Sequence, residues 1–471
     1  MTVPLTQLLV CSHRGPFTYE DAGGRVEASR GSGGLVTALS ALPGAGAELT
    51  WVACALSDLD REVAAGRRPD GAGGVDLRLL DVPRDVHRRF YDDACVTGLG
   101  FLFHGLVDQA HTPTFDAASR SAWAAYGAVN QAFADAVVRL AGDRPVLVED
   151  YHLMLVAGAL HERGRARPGP VTYFHHVPWC PPAYLALLPD ALRTEILTGL
   201  LAFDTVGFHA RRWADEFLAC CDAFLPGARC QPDAVTWRGR PVPIVVAPAQ
   251  LDAGHVRRAA AGPAARRWRR RLERLVGGRR VVARVDRLDL WKNLPRGFLA
   301  FERLVREEGV GDAIFLALLA RSRMHLPEYR RYLAECVHAA RAVNGRLNPG
   351  GHGPVHLLVA DRSDHDRALA VLGLADVVLV NSTSDGLNLV AKESVAAGGG
   401  RSRLVLSRTT GVYEEIGRWT HGVHPFDVED TAAALAGALR ERGASAELVA
   451  AVDRNSPAAW VRRRLAPVAA H

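Results

Sequence analysis

Lysine is almost absent from this chain of 471 residues. Of its 57 lysines and arginines, only Lys292 and Lys392 are lysine, so that 55 are arginine. A composition rich in alanine, glycine and arginine is typical of a GC-rich genome and accounts for much of this bias. Arginine is a planar fork and lysine is a compact point charge, so the two are not interchangeable in a binding site. The lysine at position 292 therefore indicates a tight pocket.

Other absences narrow the class of protein. The eight cysteines include no C-x-x-C pair, and several lie in apolar runs, so neither a metal site nor a disulfide framework is expected. No apolar run reaches the roughly 18 residues that a membrane helix needs. The N-terminal apolar run is too short for a signal peptide and lacks a basic n-region. We therefore expect a soluble, cytoplasmic protein without a membrane partner.

The charge of the chain is not concentrated in a nucleic-acid-binding pattern. The formal net charge of +6 can indicate an anionic partner. Its one arginine-rich run, residues 257–280, has Trp268, Leu272 and Leu275 at helical spacing and arginines on the other face. This favours a solvated surface helix over a nucleic-acid patch. A small anionic substrate accounts for the charge equally well.

Short apolar runs alternate with amphipathic stretches, which predicts βαβ units and parallel sheets. The alternation runs from residues 8–11 to 205–208 and restarts at 280–284. We therefore expect an α/β fold with two doubly wound domains, residues 1–250 and 251–455. A C-terminal helix in 456–471 is expected to cross back to the first domain. Ligands of such sheets bind at the carboxyl ends of the strands, so the predicted active site is a cleft between the domains.

Two strand-to-helix junctions of the second predicted domain carry candidate phosphate ligands. Arg287 and Lys292 in VDRLDLWKN lie one loop turn apart, where both could reach one pair of phosphates. In NSTSDGLNLVAKES, a turn at Asp385 and Gly386 precedes a helix whose N-terminal N–H groups and dipole favour a diphosphate. Glu393, two turns further, could reach ribose hydroxyls. An ordinary capped helix is the alternative, but capping alone does not account for this run of polar residues.

Three junctions of the first predicted domain are candidates as well. Paired glycines in GSGGL (31–35) let backbone N–H groups approach a phosphate, and Arg14 in SHRGP could hold a second anion. Asp150 in VEDYHLML could accept sugar hydroxyls or a proton, or simply cap the next helix. The two histidines of YFHHVPW (173–179) could meet a substrate or be core residues. No metal site is expected, because partner ligands at suitable spacing are missing.

With these motifs in order, the chain resembles the trehalose-6-phosphate synthase family. This is family 20 of the retaining GT-B glycosyltransferases, and it includes pseudo-glycosyltransferases similar to validoxylamine-phosphate synthase. The resemblance covers nearly the whole chain. It rests on RGP, GGL, DYHL, HVPW.PP, GFHARRWADEFLACC, VDRLDLWKN and DGLNLVAKE. It implies two Rossmann-like domains and an enzyme that moves glucose, or a related sugar, from a nucleoside-diphosphate sugar to a sugar phosphate.

The resemblance also implies the mechanism. The acceptor attacks from the front face, the leaving phosphate takes its proton, and configuration is retained. The developing negative charge is met by protein donors, so no metal cofactor is expected and the D-x-D at 58–60 is interpreted as a chance match. The catalytic residues implied by the family motifs are Arg287, Lys292, His176 and Asp150.

The donor and acceptor sites are carried over from the same motifs. Gly34, Arg287 and Lys292 are expected at the donor phosphates, and Asp385 at the donor sugar. His176 is expected at the transferred sugar and Asp150 at the acceptor. The remaining donor residues implied are Gly386, Leu387, Asn388, Leu389 on the diphosphate and Glu393 on the ribose. The acceptor residues implied are Arg14, Tyr91 and Arg323 at the phosphate, together with Trp51. Lys392 is interpreted as structural, with a partner in its own helix.

Two departures from the family pattern concern the acceptor. Nine residues after Tyr91 the family has a tryptophan that touches the acceptor phosphate, whereas this chain has Gly100. Asn293 follows Lys292 where many members read YSKG, and this resembles the validoxylamine-phosphate synthases. The acceptor half is therefore expected to be remodelled. A specialised-metabolism glycosyl- or pseudo-glycosyltransferase with a phosphorylated cyclitol acceptor is the second expectation. A non-catalytic sugar-phosphate-binding regulatory protein is the third. The donor base and the oligomeric state, including a homo-oligomer, stay open.

Overall fold

The chain forms two compact units in the computed structural model. Residues 7–31, 36, 39, 48–67, 69, 74–161, 168–351, 353–441, 443–454 and 456–467 are described. The first unit is Met1–Ala249 with Pro457–His471, and the second is Gln250–Ser456. Gly34, which the resemblance puts at the donor phosphates, lies outside the described residues. Within the described ranges, no helix is both long enough and apolar enough to cross a membrane.

A mainly parallel sheet forms the centre of the first unit. Its strands are short runs rich in valine and leucine, as expected for strands that are covered on both faces. The strands of this unit are β1 (Gln7–Ser12), β2 (Phe17–Ala22), β3 (Arg25–Arg30), β4 (Glu48–Cys54), β5 (Asp76–Leu80), β6 (Val146–Glu149), β7 (Val171–His175), β8 (Thr205–Phe208), β9 (Arg229–Gln231), β10 (Ala234–Trp237) and β11 (Arg240–Val246).

The strand order of this sheet is β5-β4-β1-β6-β7-β8-β11-β10-β9. The strands from β5 to β11 in that order are parallel, and β10 runs antiparallel to β9 and β11 at one edge. Strands β2 and β3 form a separate antiparallel hairpin. Because β6, β7 and β8 are parallel neighbours, the residues that follow them meet at one edge of the sheet.

Helices connect and cover these strands. The longest begins after Asp116, whose side chain accepts from the Ser119 backbone N–H as part of a capping box. The α-helices described in this unit are α1 (Asp58–Ala64), α2 (Arg84–Arg88), α3 (Phe101–Phe103), α4 (Ala117–Leu140), α5 (Val156–His161), α6 (Pro182–Leu185), α7 (Asp190–Leu200), α8 (Arg211–Phe224) and the C-terminal helix (Pro457–Leu465). A π-helix spans Arg89–Gly100, and a 3-10 turn spans Tyr151–Leu153.

The second unit is built on a six-stranded parallel sheet in the order β14-β13-β12-β15-β16-β17. These strands are β12 (Arg280–Arg287), β13 (Ala313–Ala320), β14 (Val355–Ala360), β15 (Val377–Val380), β16 (Arg403–Ser407) and β17 (His421–Val423). All eight residues of β13 are buried, which explains its apolar sequence AIFLALLA. The unbroken apolar run is what a central parallel strand requires.

Helices alternate with these strands along the chain. The α-helices described in the second unit are α9 (Ala253–Ala260), α10 (Pro263–Val276), α11 (Leu294–Glu307), α12 (Pro327–Leu347), α13 (His365–Leu374), α14 (Leu389–Ala397), α15 (Tyr413–Ile416), α16 (Val428–Arg440) and α17 (Ala446–Asp453). The C-terminal helix of the first unit is therefore α18. Short 3-10 turns span Leu290–Lys292 and Gly417–Trp419.

The predicted α/β architecture of two doubly wound units is confirmed, and the apolar runs 8–11, 205–208 and 280–284 each lie within a strand. The arginine-rich run forms α10, which buries Ala265, Leu272 and Val276 and exposes most of its arginines. The prediction of a solvated surface helix is therefore confirmed. All eight cysteines are free, and seven of them are buried. Burial raises the pKa of Cys54 and of Cys336 to about 12, so both behave as small apolar residues.

Candidate active site

Lys292 lies in a tight, acidic position in the second unit. It ends the 3-10 turn after β12 and is 8% exposed. Its Nζ lies 2.5 Å from Asp385 Oδ2 and 3.5 Å from Asp286 Oδ1. Burial opposes the charge, but Asp385 and Asp286 outweigh it, so the pKa of Lys292 is raised. A compact ammonium fits between two carboxylates, which agrees with the tight pocket expected from the composition.

Asn293, the departure beside Lys292, has a conformational explanation. Its φ is 60°, in the left-handed region that glycine and asparagine tolerate best. Its Nδ2 donates to the carbonyl oxygens of Asn381 at 2.8 Å and Pro425 at 2.6 Å. The asparagine at position 293, where the YSKG pattern has glycine, therefore suits a left-handed backbone conformation and is held by two buried hydrogen bonds.

Two of the predicted phosphate ligands share one buried carboxylate. Asp289 has no exposed surface, and its oxygens lie 2.7 Å from Arg287 Nη2 and 2.9 Å from Arg323 Nη1. Burial opposes ionisation, but Arg287, Arg323 and Lys292 outweigh it and lower the pKa of Asp289. The side chain of Arg287 is 54% exposed, whereas that of Arg323 is 13% exposed. Asp289 was missing from the predicted site, although it lies in the quoted motif.

The turn before α14 gathers the predicted sugar-binding residues. Asp385 Oδ2 accepts from Lys292 Nζ, from Asn388 Nδ2 at 2.9 Å and from Ser382 Oγ at 3.2 Å. Asn388 has a φ of 76° and precedes the first residue of α14, Leu389. Gly386 and Leu387 are buried and Leu389 is half-buried. The structure thus brings Lys292 to the start of α14. Ligand contacts of these residues remain predictions.

The next two residues of interest on α14 behave differently. Lys392 is fully buried, and its Nζ lies 2.5 Å from Glu415 Oε2 and 3.0 Å from Gln250 Oε1. The predicted partner inside its own helix is therefore wrong, because these partners lie on α15 and before α9. Burial outweighs Glu415 and lowers the pKa of Lys392. Burial raises the pKa of Glu393, the predicted ribose ligand, to about 7.

In the first unit, the ends of β6 and β7 bring His176 and Asp150 together. The His176 backbone N–H donates to Asp150 Oδ1 at 3.1 Å. Asp150 has a φ of 74°, a strained conformation for a residue with a Cβ, and such strain concentrates at functional sites. Burial opposes ionisation of Asp150, but His152, His176 and His175 outweigh it and lower its pKa. Asp150 is therefore a carboxylate that can accept hydroxyl hydrogen bonds.

Glu149, the residue before Asp150, was missed. It is fully buried, and its Oε2 accepts from His176 Nε2 at 2.7 Å. Its Oε1 lies 2.8 Å from Arg464 Nη2 of α18. A carboxylate as the last residue of an apolar strand was the signal available in VEDYHL, since such a group needs a buried partner.

A stack of rings surrounds the predicted acceptor residue Tyr91. The His13 ring lies 4.3 Å from the Tyr91 ring at 15° and 5.0 Å from the His152 ring at 12°. His13 Nε2 lies 2.9 Å from His87 Nε2, and burial lowers the pKa of His87. Tyr91 lies on the π-helix, a distortion that is frequent at functional sites. The sequence motif SHRGP had pointed to Arg14, which is exposed, and not to His13.

The predicted acceptor contact of Trp51 does not fit this packing. Its side chain has no exposed surface, and its indole N–H donates to Ser12 Oγ at 2.7 Å. Because a ligand can reach only accessible atoms, the structure gives Trp51 a role inside the core of the first unit. The remaining predicted acceptor ligand, Arg323, belongs to the second unit.

Gly100 is enclosed by neighbouring atoms. A Cβ at this position would lie 3.0 Å from the Cys95 carbonyl oxygen and 3.2 Å from Tyr151 Oη. Both distances are shorter than ordinary van der Waals contact. A side chain at this position therefore requires its neighbours to shift, and the remodelling of the acceptor region remains a prediction.

The D-x-D sequence has a structural explanation. Asp60 forms a capping box with Ser57 at the start of α1. Asp58 is exposed and pairs with Arg84. In the part of the chain that the structure describes, no group of three or more His, Cys, Asp or Glu side chains is arranged to hold a metal ion. Metal independence itself remains a prediction.

Comparison with known proteins identifies relatives along the whole chain. The model of glycosyltransferase family 20 matches residues 6–467. A bifunctional trehalose-6-phosphate synthase/phosphatase of Thermoproteus tenax is 32% identical over 446 residues, 92% of this chain and 58% of that protein. This chain thus spans little more than half of that relative. Validamine 7-phosphate valienyltransferase of Streptomyces hygroscopicus subsp. jinggangensis is 29% identical over 494 residues, 99% of this chain and 95% of that protein.

A solved structure shows the same fold. It is an alpha,alpha-trehalose-phosphate synthase (UDP-forming) from Burkholderia xenovorans in complex with glucose-6-phosphate. Its TM-score is 0.83 at 23% identity, over 98% of this chain and all of that chain. The resemblance stated from the motifs and the predicted GT-B fold are both confirmed.

Proposed function

Because the chain belongs to glycosyltransferase family 20, we propose that it moves glucose, or a related hexose, from a nucleoside-diphosphate sugar to a phosphorylated sugar. The observation that carries this proposal is the position of Lys292, a buried ammonium held at the start of α14 by Asp385. Asp286 is a second carboxylate beside this ammonium, so that one of the two contacts can be exchanged for a phosphate oxygen. The chemistry of the ammonium suits a diphosphate leaving group.

The proposed donor site stabilises negative charge. Departure of the nucleoside diphosphate places charge on phosphate oxygens, and Arg287, Lys292 and the N–H groups at the start of α14 are donors already in place. Preorganised donors of this kind typically contribute several kcal/mol to the transition state. Donor binding exchanges one carboxylate contact of Lys292 for a phosphate oxygen. These donors would do the work of a metal ion, so we propose metal-independent transfer, tested by unchanged turnover in excess EDTA.

The proposed acceptor site uses the ionised Asp150 to accept acceptor hydroxyls. The acceptor oxygen forms the bond to the anomeric carbon on the face from which the diphosphate departs. Because attack and departure use the same face, the configuration is retained, and the proton of the acceptor hydroxyl goes to the leaving phosphate oxygen. Arg14 and Tyr91 in the first unit, and Arg323 in the second, are the proposed ligands of the acceptor phosphate.

A second candidate is a pseudo-glycosyltransferase that joins a nucleotide-activated cyclitol to an aminocyclitol phosphate. Gly100 favours it, because the family tryptophan that touches the acceptor phosphate is absent there. One of the full-length relatives is a valienyltransferase that acts on validamine 7-phosphate, as its name states. A non-catalytic sugar-phosphate-binding regulator is the third candidate.

The deciding experiment measures nucleoside diphosphate release together with product masses. UDP-glucose and GDP-glucose are each supplied with and without glucose 6-phosphate. An acceptor-dependent trehalose-phosphate mass supports the synthase and gives the donor base. Donor binding without product moves the search to aminocyclitol phosphates, and donor binding without turnover on any acceptor supports the regulator. Failure to bind any nucleotide sugar overturns the proposal.

Further predictions from the sequence accompany this function. The cytoplasmic location stays a prediction, to be tested by cell fractionation with an antibody to the chain. The oligomeric state, including a homo-oligomer, is to be measured by light scattering. Neither nucleic acid nor a membrane is expected as a partner, which salt-dependent binding to a random duplex and to vesicles would test.

A further inference from the structure

A chain of hydrogen bonds in the first unit fixes the proton positions of two histidines. The Ala249 backbone N–H donates to His209 Nδ1 at 3.2 Å, so the proton of neutral His209 lies on Nε2. His209 Nε2 is 3.1 Å from His176 Nδ1 and must donate to it. The proton of neutral His176 therefore lies on Nε2, which donates to Glu149 Oε2 at 2.7 Å. Each link determines the next, from a backbone amide to a buried carboxylate.

Glu149, the carboxylate at the end of this series of hydrogen bonds, is held by the C-terminal helix. Glu149 and Arg464 are both almost fully buried, and Glu149 Oε1 lies 2.8 Å from Arg464 Nη2. The Arg464 guanidinium lies over the rings of Phe174 at 4.5 Å and Trp460 at 4.7 Å. The Trp460 indole N–H donates to the Ala247 carbonyl oxygen at 2.9 Å. Helix α18 is thus fixed to the body of the unit, and Arg464 has little freedom to leave Glu149.

We propose that Glu149 is a positioning residue that fixes the ring orientation and the proton of His176, and that Arg464 balances the charge of Glu149. The proposal rests on the proposed function in one respect, since it takes His176 to lie at the transferred sugar. His176 Nε2 then stays committed to Glu149. Its Nδ1 is the acceptor that a sugar hydroxyl can use in place of His209. A buried carboxylate that orients a histidine in this way is a known means of fixing a tautomer.

The competing explanation is that Glu149 and Arg464 only anchor α18. Both explanations predict loss of stability when the pair is broken, because a buried charge is left uncompensated. Only positioning predicts a change at His176 itself. The test therefore reads His176 directly, in the full-length protein labelled with 15N-histidine, by long-range 1H-15N NMR. The signal is assigned by its loss in His176→Gln.

The wild-type spectrum should show His176 with a protonated Nε2 and an unprotonated Nδ1. A proton on Nδ1 overturns the proposal without any activity measurement. In Glu149→Gln, the carboxamide lacks the charge, and we expect the Nε2–H signal to move or exchange and kcat to fall about 10- to 100-fold. The acceptor KM should change less than kcat. An unchanged His176 signal with kcat within twofold of wild type assigns the pair to anchoring and overturns the proposal.

Two variants complete the test. Glu302→Gln removes another buried carboxylate, on α11 of the second unit, which pairs with Arg346 on α12. This variant should lower stability without changing the His176 signal. Arg464→Lys keeps the charge and should retain the wild-type tautomer with a smaller loss of kcat. If the wild-type protein transfers no sugar, the proposed function fails while the NMR result still decides the positioning claim.

Discussion

The two lysines have similar surroundings, but their pKa values are shifted in opposite directions. Each is buried, and each holds a carboxylate oxygen at 2.5 Å from its Nζ. Lys292 faces Asp385 and Asp286, and its pKa is raised, whereas Lys392 faces Glu415 and its pKa is lowered. The pKa of a buried lysine falls because of burial and rises because of nearby carboxylates, and at Lys292 the additional carboxylate makes the second effect the larger one. Lys292 can therefore give up one of two carboxylate contacts to a ligand, whereas we interpret Lys392, which contacts Glu415 and Gln250, as structural.

The largest expected difference is in kcat, between a variant that replaces Lys292 and a variant that replaces Lys392 by a neutral residue. Lys292→Ala should lower kcat about 100- to 1,000-fold, because it removes a preorganised donor at the leaving group. Lys392→Met should keep turnover within about twofold but lower the free energy of unfolding by about 3–5 kcal/mol, since Glu415 is left buried without its charge partner. Steady-state kinetics and urea unfolding of both variants check this pair. Equal turnover of Lys292→Ala and wild type would remove Lys292 from the donor site.

Lys292→Arg sharpens the same comparison, because it keeps the charge and changes its shape. The guanidinium is larger than the space between Asp385 and Asp286 that holds the ammonium. We expect activity much closer to Lys292→Ala than to wild type, measured in the same assay. Full activity of Lys292→Arg would show that the lysine is an accident of composition.

Removing the carboxylate shared by the arginines should have the next largest effect. Asp289→Asn loses the ion pairs to Arg287 and Arg323 and withdraws one of the charges that raise the pKa of Lys292. Losing charged hydrogen bonds of this kind costs about 1.5–3 kcal/mol, so kcat/KM should fall about 10- to 150-fold. We expect both the donor KM and the acceptor KM to rise. A rise in the donor KM alone would separate Arg323 from the acceptor phosphate.

Glu393, the neighbour of Lys392, shows what burial does to a carboxyl group. Its pKa is raised to about 7, so the folded protein binds a proton that the unfolded chain releases above about pH 4.5. Glu393→Gln should therefore stabilise the free protein at pH 8 by up to about 3 kcal/mol, with no gain below pH 4.5. Donor affinity of the wild type should weaken as the pH falls through 7, because a protonated carboxyl accepts ribose hydroxyls poorly. Calorimetric titration at pH 6 and pH 8 tests this.

The smallest expected effect is a difference in alkaline stability. Because the folded pKa of Lys392 is lowered from 10.5, the unfolded chain binds more protons as the pH approaches 10.5, and this lysine then favours folding with rising pH. Lys292 has a raised pKa, so its stabilisation is complete below 10.5 and is lost as the pH rises beyond it. Urea unfolding of Lys292→Met and Lys392→Met between pH 8 and pH 11 should give slopes of opposite sign relative to wild type. Parallel slopes would contradict the comparison.

The sequence predicted what depends on local pattern. The apolar runs rich in valine and leucine predicted the strands, and the scarcity of lysine indicated that Lys292 lies in a tight pocket. What it missed depends on contacts between distant parts of the chain. The Glu415 partner of Lys392 lies 23 residues further on, and the Arg464 partner of Glu149 lies at the C-terminus. Trp51 was assigned to the acceptor by the family resemblance, but its burial is set by the packing of β4 between β1 and β5.

The packing around Gly100 has a consequence for the redesign of this protein. A substitution to tryptophan brings the first side-chain carbon to 3.0 Å from the Cys95 carbonyl oxygen and to 3.2 Å from Tyr151 Oη, and both distances are shorter than ordinary van der Waals contact. Tyr151 Oη is the end of a side chain, whereas the Cys95 carbonyl belongs to the backbone of the π-helix. Converting this region to the common family pattern therefore calls for a backbone adjustment as well as a change of residue.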